Sequence, residues 1–239
     1  MKLELHRVGA NHNGIAVLRY LPRRPRGVAL AAAHGYSSSK QNLDPLCAFL
    51  AAHGCEVFSL DFPGHKLGAS GGRLRDLDDC LDAMNAAVGF AGDRSGLRPY
   101  VVGHSLGAIA ALLLAARDAS IRGAIAIATG YRRAAAISAL RRNFSTDLRS
   151  EYVDGASLPE LFEGVDARLE EALPHLAGRP VLYVAAAHDA MVPVSNVVEL
   201  YERAPEPKRL AHIESNHTAA GENARTEVLQ WLNDLHPRE

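Results

Sequence analysis

Ser105 stands in Gly103-His104-Ser105-Leu106-Gly107, with a glycine two places to either side. Taken alone, the spacing suits a plain turn or a glycine-softened helix start. It also suits a serine nucleophile raised on a sharp strand-to-helix turn, where side chains two residues before and after the apex have no room. A serine hydroxyl is a poor nucleophile until a base takes its proton, and the base needs an acid to orient it. Two later segments offer those partners: "HDAMVP" carries Asp189 and "SNHTAAGENA" carries His217. Together the three residues would perform acyl transfer.

Such chemistry needs a scaffold that brings distant segments to one edge, and the chain patterns for one. The first twenty-odd residues alternate as "KLELHRV" and "GIAVLRYL" around the turn-rich "GANHNG", which predicts an antiparallel hairpin. Short unbroken apolar runs follow at 27–33, 56–62, 100–103, 123–128, 181–187 and 209–213, as expected of parallel strands buried on both faces. Between them, Leu77, Leu81, Met84 and Val88 recur at helical steps, 106–117 is apolar all round, and 221–235 reads as a final amphipathic helix. The fold class is therefore α/β, a mostly parallel sheet with an N-terminal antiparallel hairpin.

Ser105 then falls between the strand "YVVG" and the helix "LGAIAALLLAA", at the carboxyl end of a strand, where open parallel sheets bind ligands. The following helix points free N–H groups at the same spot. Asp189 and His217 each follow a later strand and precede a helix. His212 lies within a strand and reads as a core or edge residue, whereas His65, His104 and His188 fall near the site.

The stretch from about 130 to 178 is too long for an ordinary crossover. It contains two helical patterns, "YRRAAAISALRRNF" and "LPELFEGVDARLEEAL", and is read as an inserted helical cap within a single domain spanning 1–239. Its charge is segregated. Arg132, Arg133, Arg141, Arg142 and Arg149 could steer an anionic substrate, or could pair with the acidic residues that follow.

Composition narrows the function classes. A formal net charge of −1 and the lack of a basic cluster give no reason to expect nucleic acid. The 3 cysteines, Cys47, Cys55 and Cys80, have neither metal-ligand nor disulfide-framework spacing. No metal motif, phosphate loop or dinucleotide fingerprint is present, so no metal or cofactor is expected. The alternating N-terminus does not read as a secretory signal, and no run is long enough to span a membrane. A soluble, cytoplasmic protein is expected, with no reading of its oligomeric state.

The segments "AAAHGYSSSK", "SLDFPGHKLGAS", "VVGHSLG", "HDAMVP" and "SNH", in this order and spacing, resemble the α/β-hydrolase family over essentially the whole chain. The versions "HGYSSSK" and "GHSLG" look most like capped carboxylesterases, including cinnamoyl-esterase and monoacylglycerol-lipase relatives. The resemblance implies a Ser105–His217–Asp189 triad, with an oxyanion hole formed by the backbone N–H groups of Tyr36 and Leu106. It implies that Gly35 lets the main chain approach and that His34 braces the loop. Asp61 would structure its loop, and the intervening Lys66-Leu67 departs from the family's usual D-x-P-G-H-G-x-S, so that Lys66 meets either an anionic group or solvent. Serine at the apex argues against the dehalogenases and epoxide hydrolases, relatives that use a carboxylate there. The expected activity is cofactor-independent hydrolysis of a small to medium acyl ester, with a thioester as the alternative substrate. A catalytically silent ligand-binding protein of the same fold is the reading from another class. Asp189 also has a plain alternative role, as cap of the helix after it.

Overall fold

The computed structural model of the 239-residue chain describes residues 1–9, 14–132 and 150–237. Eight strands form one sheet in the order β1-β2-β4-β3-β5-β6-β7-β8. They are β1 (Lys2–Val8), β2 (Ile15–Leu21), β3 (Ala29–Ala33), β4 (Glu56–Leu60), β5 (Tyr100–His104), β6 (Ala124–Ile127), β7 (Val181–Ala186) and β8 (Lys208–Ile213). The hairpin β1–β2 is antiparallel, and β2 joins β4 antiparallel; every pairing from β4 to β8 is parallel. The hairpin's turn at 10–13 lies outside the described residues.

The period of two in the strands sorts side chains onto two cores. Ala31, Ala33, Phe58 and Val101 face one side, against α2 (Leu77–Ser95) and α3 (Leu106–Arg117). Leu30, Ala32, Val57 and Val102 face the other, against α1 (Asp44–Ala52) and the chain's last helices. Each fully buried leucine contributes about 1.5–3 kcal/mol relative to exposure, so unbroken apolar strands are stable only with both faces covered. Helix α2 begins where the Asp76 side chain accepts the Asp79 N–H, and it stops at Gly96 in the left-handed conformation. In α3, Leu106 through Ala115 are all buried, as its all-round apolar character requires.

Two expected helices are each divided. The pattern over 158–173 forms α4 (Leu158–Phe162) and α5 (Val165–Ala172), because Gly164 adopts φ 70° between them. After α6 (Val194–Arg203), the final pattern forms α7 (Ala220–Asn223) and α8 (Arg225–Leu235), joined at Ala224. The helical pattern over 131–144 lies, beyond Arg132, outside the described residues. Among the described residues, no helix is long and apolar enough to cross a membrane.

The described part of the inserted segment is joined to the sheet through the loop after β4. Residues 65 and 153 pair as an antiparallel bridge, and 74 and 155 as a parallel one. Backbone hydrogen bonds from Lys66 N to Tyr152 O (2.9 Å), Asp154 N to Gly64 O (2.8 Å) and Leu74 N to Asp154 O (2.9 Å) complete the seam.

Candidate active site

Ser105 sits between β5 and α3 with φ 54° and ψ −110°, a conformation that costs a non-glycine residue about 1–3 kcal/mol. Its N–H is tied to Ile127 O at 2.9 Å, so the elbow is fastened to the neighbouring strand. A Cβ on Gly103 would overlap the Gly107 carbonyl, and one on Gly107 would overlap the Ala33 carbonyl. Glycine at both places is thus a steric condition of the turn. Gly35 closes against it: a Cβ there would stand 3.1 Å from His104 Nδ1 and 3.3 Å from Ser105 Cβ.

Parallel strands bring the other two residues to the same edge. His217 Nε2 lies 3.0 Å from Ser105 Oγ, and His217 Nδ1 lies 2.7 Å from Asp189 Oδ2. The other carboxylate oxygen of Asp189 accepts the N–H groups of Met191 and Val192, both at 2.8 Å. Burial alone would raise the Asp189 carboxyl. The hydrogen bond and charge of His217, with the two backbone donors, outweigh it and hold the group below the ordinary carboxylate value. Since Asp189 only accepts, Nδ1 carries the proton and Nε2 is left facing the serine. Asp189 does not cap the helix after it, whose N-cap is Pro193; one of its oxygens ties the turn before that helix and the other meets His217.

The residues expected to form an oxyanion hole and to brace it begin directly after β3, at His34. His34 is fully buried; its Nε2 accepts the Phe62 N–H at 3.0 Å, so Nδ1 donates to Gly35 O at 2.7 Å. Burial and the neighbouring His65 push the His34 imidazole down, consistent with this neutral tautomer. Ser37, next to Tyr36, has φ 56°. The N–H groups of Tyr36 and Leu106 make no hydrogen bond among the described residues. The Tyr36 hydroxyl reaches across to Ala156 O at 3.1 Å.

A cavity of about 250 Å³ opens over Ser105 and His217. Gly35, Tyr36 and His104 line it, as do Ser38, Asn42, Leu67, Tyr152, Leu158, Met191 and Thr218. Among the described residues, no Lys, Arg, Asp or Glu side chain lines it. Other histidines fall outside it. His65 is buried beside His34 with Nδ1 donating to Pro63 O, His188 is exposed and 2.9 Å from Glu214, and His212 is exposed on edge strand β8. Asp61 is fully buried; it accepts the N–H groups of Lys40 and Ala69, each at 2.7 Å, and pairs with the Lys40 ammonium. It therefore ties the far end of the loop after β3 to the loop after β4. Lys66 is exposed and has no ion-pair partner among the described residues. Of the inserted arginines, Arg132 pairs with Glu199 and meets Asp166 through its N–H, while Arg133, Arg141, Arg142 and Arg149 lie outside the described residues. No group of three or more His, Cys, Asp or Glu among the described residues is arranged to hold a metal ion.

Sequence reasoning missed the cavity's outer wall. Leu67, Tyr152, Leu158 and Met191 come from four separate loop or helix-end positions with no shared period. Ser38, within "AAAHGYSSSK", and Asn42, two residues beyond it, had no signal beyond being polar.

The profile of the alpha/beta hydrolase family matches residues 30–235. The chain belongs to that family. No curated protein matches it in sequence. Among solved structures, this hydrolase-family chain is similar to the esterase domain of a Rhodothermus marinus protein, with 20% identity over 99% of each chain and a TM-score of 0.71. It is similar to an esterase of Pyrococcus furiosus, with 20% identity, 98% and 91% coverage and a TM-score of 0.73. A 2,6-dihydroxy-pseudo-oxynicotine hydrolase shares the fold at 21% identity, 98% and 68% coverage and a TM-score of 0.74. At these identities the likeness concerns the fold.

Proposed function

We propose that the protein is a serine hydrolase that cleaves carboxylic esters through an acyl-enzyme intermediate. The observation that carries this reading is the continuous hydrogen-bonded line from Asp189 through His217 to Ser105, with separations of 2.7 and 3.0 Å. Ser105 Oγ attacks the acyl carbonyl while its proton passes to His217 Nε2. The imidazolium then gives that proton to the leaving alcohol as the carbon–oxygen bond breaks. Water, deprotonated by the same imidazole, attacks the acyl-enzyme and releases the acid and free Ser105.

Negative charge on the carbonyl oxygen falls to the N–H groups of Tyr36 and Leu106. Each such fixed donor contributes about 10²–10³ in rate. His34 is a positioning residue here, since it pins the carbonyl of Gly35 and bonds the next loop through Phe62. The cavity of about 250 Å³ lies below the range of ~300–1,000 Å³ typical for drug-sized ligands, which favours small to medium acyl groups.

The test is hydrolysis of p-nitrophenyl esters of graded acyl length beside the matching thioesters. Short esters turned over by the wild type, and not by Ser105→Ala, support the reading. Turnover of thioesters alone assigns the same site to a thioesterase, and no turnover of either class contradicts it.

A further inference from the structure

Strand β1 is one edge of the sheet. Next to it, Ala16 of β2 turns its main chain away from β1: its N–H donates to Ser70 Oγ at 2.8 Å, and its carbonyl accepts the Asp61 N–H at 3.0 Å. Arg7, the register partner of Ala16, therefore makes no ladder bond to it, and by alternation neither does Leu5 to Leu18 nor Leu3 to Tyr20. The N–H and C=O groups of Leu3, Leu5 and Arg7 point outward from the edge, with no hydrogen-bond partner among the described residues.

The same three residues share the exposed side-chain face of β1. Leu5, 64% exposed, is the most exposed large apolar side chain among the described residues, and Leu3 is 51% exposed. Arg7, the charge on this face, bonds the Gly14 carbonyl of its own hairpin at 3.2 Å. Edge strands are commonly guarded against pairing by a proline, a bulge or a covering element. β1 has no proline and runs in unbroken register from Lys2 to Val8. At the other edge, β8 exposes Arg209 and His212 instead, and Arg209 pairs with Asp234 of α8.

The sequence of β1 is complementary to itself. Outward-pointing residues must meet outward-pointing residues, so a twofold axis has to pass at a residue and not between two. An axis at Leu5 sets Leu5 against the partner subunit's Leu5, Leu3 against the partner subunit's Arg7, and Glu4 against the partner subunit's His6. The whole strand then pairs, and Leu18 and Leu5 of both copies form one apolar row across four strands. Glu4 already meets His6 of its own chain at 3.4 Å, so carboxylate and imidazole suit each other here. An axis at Glu4 would oppose two carboxylates, and one at His6 two imidazoles; like charges directly opposite are destabilising. We infer that the protein forms a twofold dimer through antiparallel pairing of β1 with β1 about Leu5, joining two eight-stranded sheets into one. Such an interface closes after two copies. No residue of β1 lines the cavity over Ser105, so the pairing takes nothing from either site.

The test is sedimentation equilibrium of the full chain, with cysteine cross-linking at β1. A dimer is expected at about 100 μM protein, since a strand-pair interface is small and its affinity modest. Leu5→Lys opposes two ammonium groups at the axis and should raise the dissociation constant about tenfold or more, with thermal unfolding of the monomer retained. Under mild oxidation Leu5→Cys should cross-link readily to its own copy. Leu3→Cys should not, because its two copies lie about 14 Å apart along the pair, beyond the reach of a disulfide. Cys47, Cys55 and Cys80 are buried and do not compete. A monomer at every concentration, an assembly that Leu5→Lys leaves intact, or equal cross-linking of Leu3→Cys and Leu5→Cys overturns the inference.

Discussion

The side chain of His104 holds the main chain of His217. Its Nε2 lies 2.8 Å from the His217 carbonyl oxygen, and the two rings are 4.9 Å apart. A carbonyl only accepts, so Nε2 of His104 carries the proton. The residue before Ser105 thus fastens the loop that carries His217 to the turn between β5 and α3. His104→Phe keeps a ring but loses the donor, and is expected to lower kcat by about tenfold, the equivalent of one buried hydrogen bond, with little change in KM. His104→Gln should restore part of it. Steady-state kinetics on a short ester make the check; an unchanged kcat in His104→Phe would count against the coupling.

Asp189→Asn should leave the fold intact and remove most activity. An asparagine oxygen can still accept the N–H groups of Met191 and Val192, which turns its NH₂ toward His217. That NH₂ needs an acceptor, so Nδ1 loses its proton and Nε2 gains one, and the imidazole can no longer accept from Ser105. A fall in kcat of about 10³–10⁴ is expected, with thermal unfolding close to wild type.

The places where each of these residues could act were legible because a parallel sheet exposes chemistry at strand ends. Ser105, Asp189 and His217 each follow an apolar run and precede a helix, and the structure brings them to one edge. Local backbone events were less legible. The division of the 158–173 pattern at Gly164 changes one residue's φ without changing the apolar period, and helix α1 is too short and uniformly apolar to stand out. The seam between the 64–74 loop and residues 152–156 joins segments some eighty positions apart through main-chain bonds, so side-chain pattern carries no trace of it. The outer wall of the cavity depends on that seam and was hidden with it.

The buried pair Lys40–Asp61 is expected to behave as a clamp. With Asp61 fully buried, Lys40→Met leaves its carboxylate with backbone donors only, at an expected cost of about 3–5 kcal/mol in unfolding free energy. The double variant Lys40→Met/Asp61→Asn removes the stranded charge and should recover part of that loss. Urea unfolding at neutral pH measures both, and additive losses would contradict the pairing.

His65 and His34 should make stability fall in mild acid. Burial holds His65 below the ordinary value of 6.5, with the Pro63 carbonyl and Asp61 pulling weakly the other way, and His34 is lowered chiefly by burial as well. The unfolded chain therefore takes up protons first as pH drops. Their contribution is fully present above about pH 6.5 and declines below it, by up to about 1.4 kcal/mol per pH unit for each histidine. His65→Phe should flatten the dependence of the urea midpoint between pH 7.5 and 5.5. An identical slope in both proteins would contradict this.

Reaction with a fluorophosphonate probe, followed by peptide mass spectrometry, tests the catalytic reading most directly because it requires no choice of substrate. The expected result is one adduct, on Ser105, absent in Ser105→Ala and much slower to form in His217→Ala. An adduct on another residue, or none on the folded protein, would contradict it.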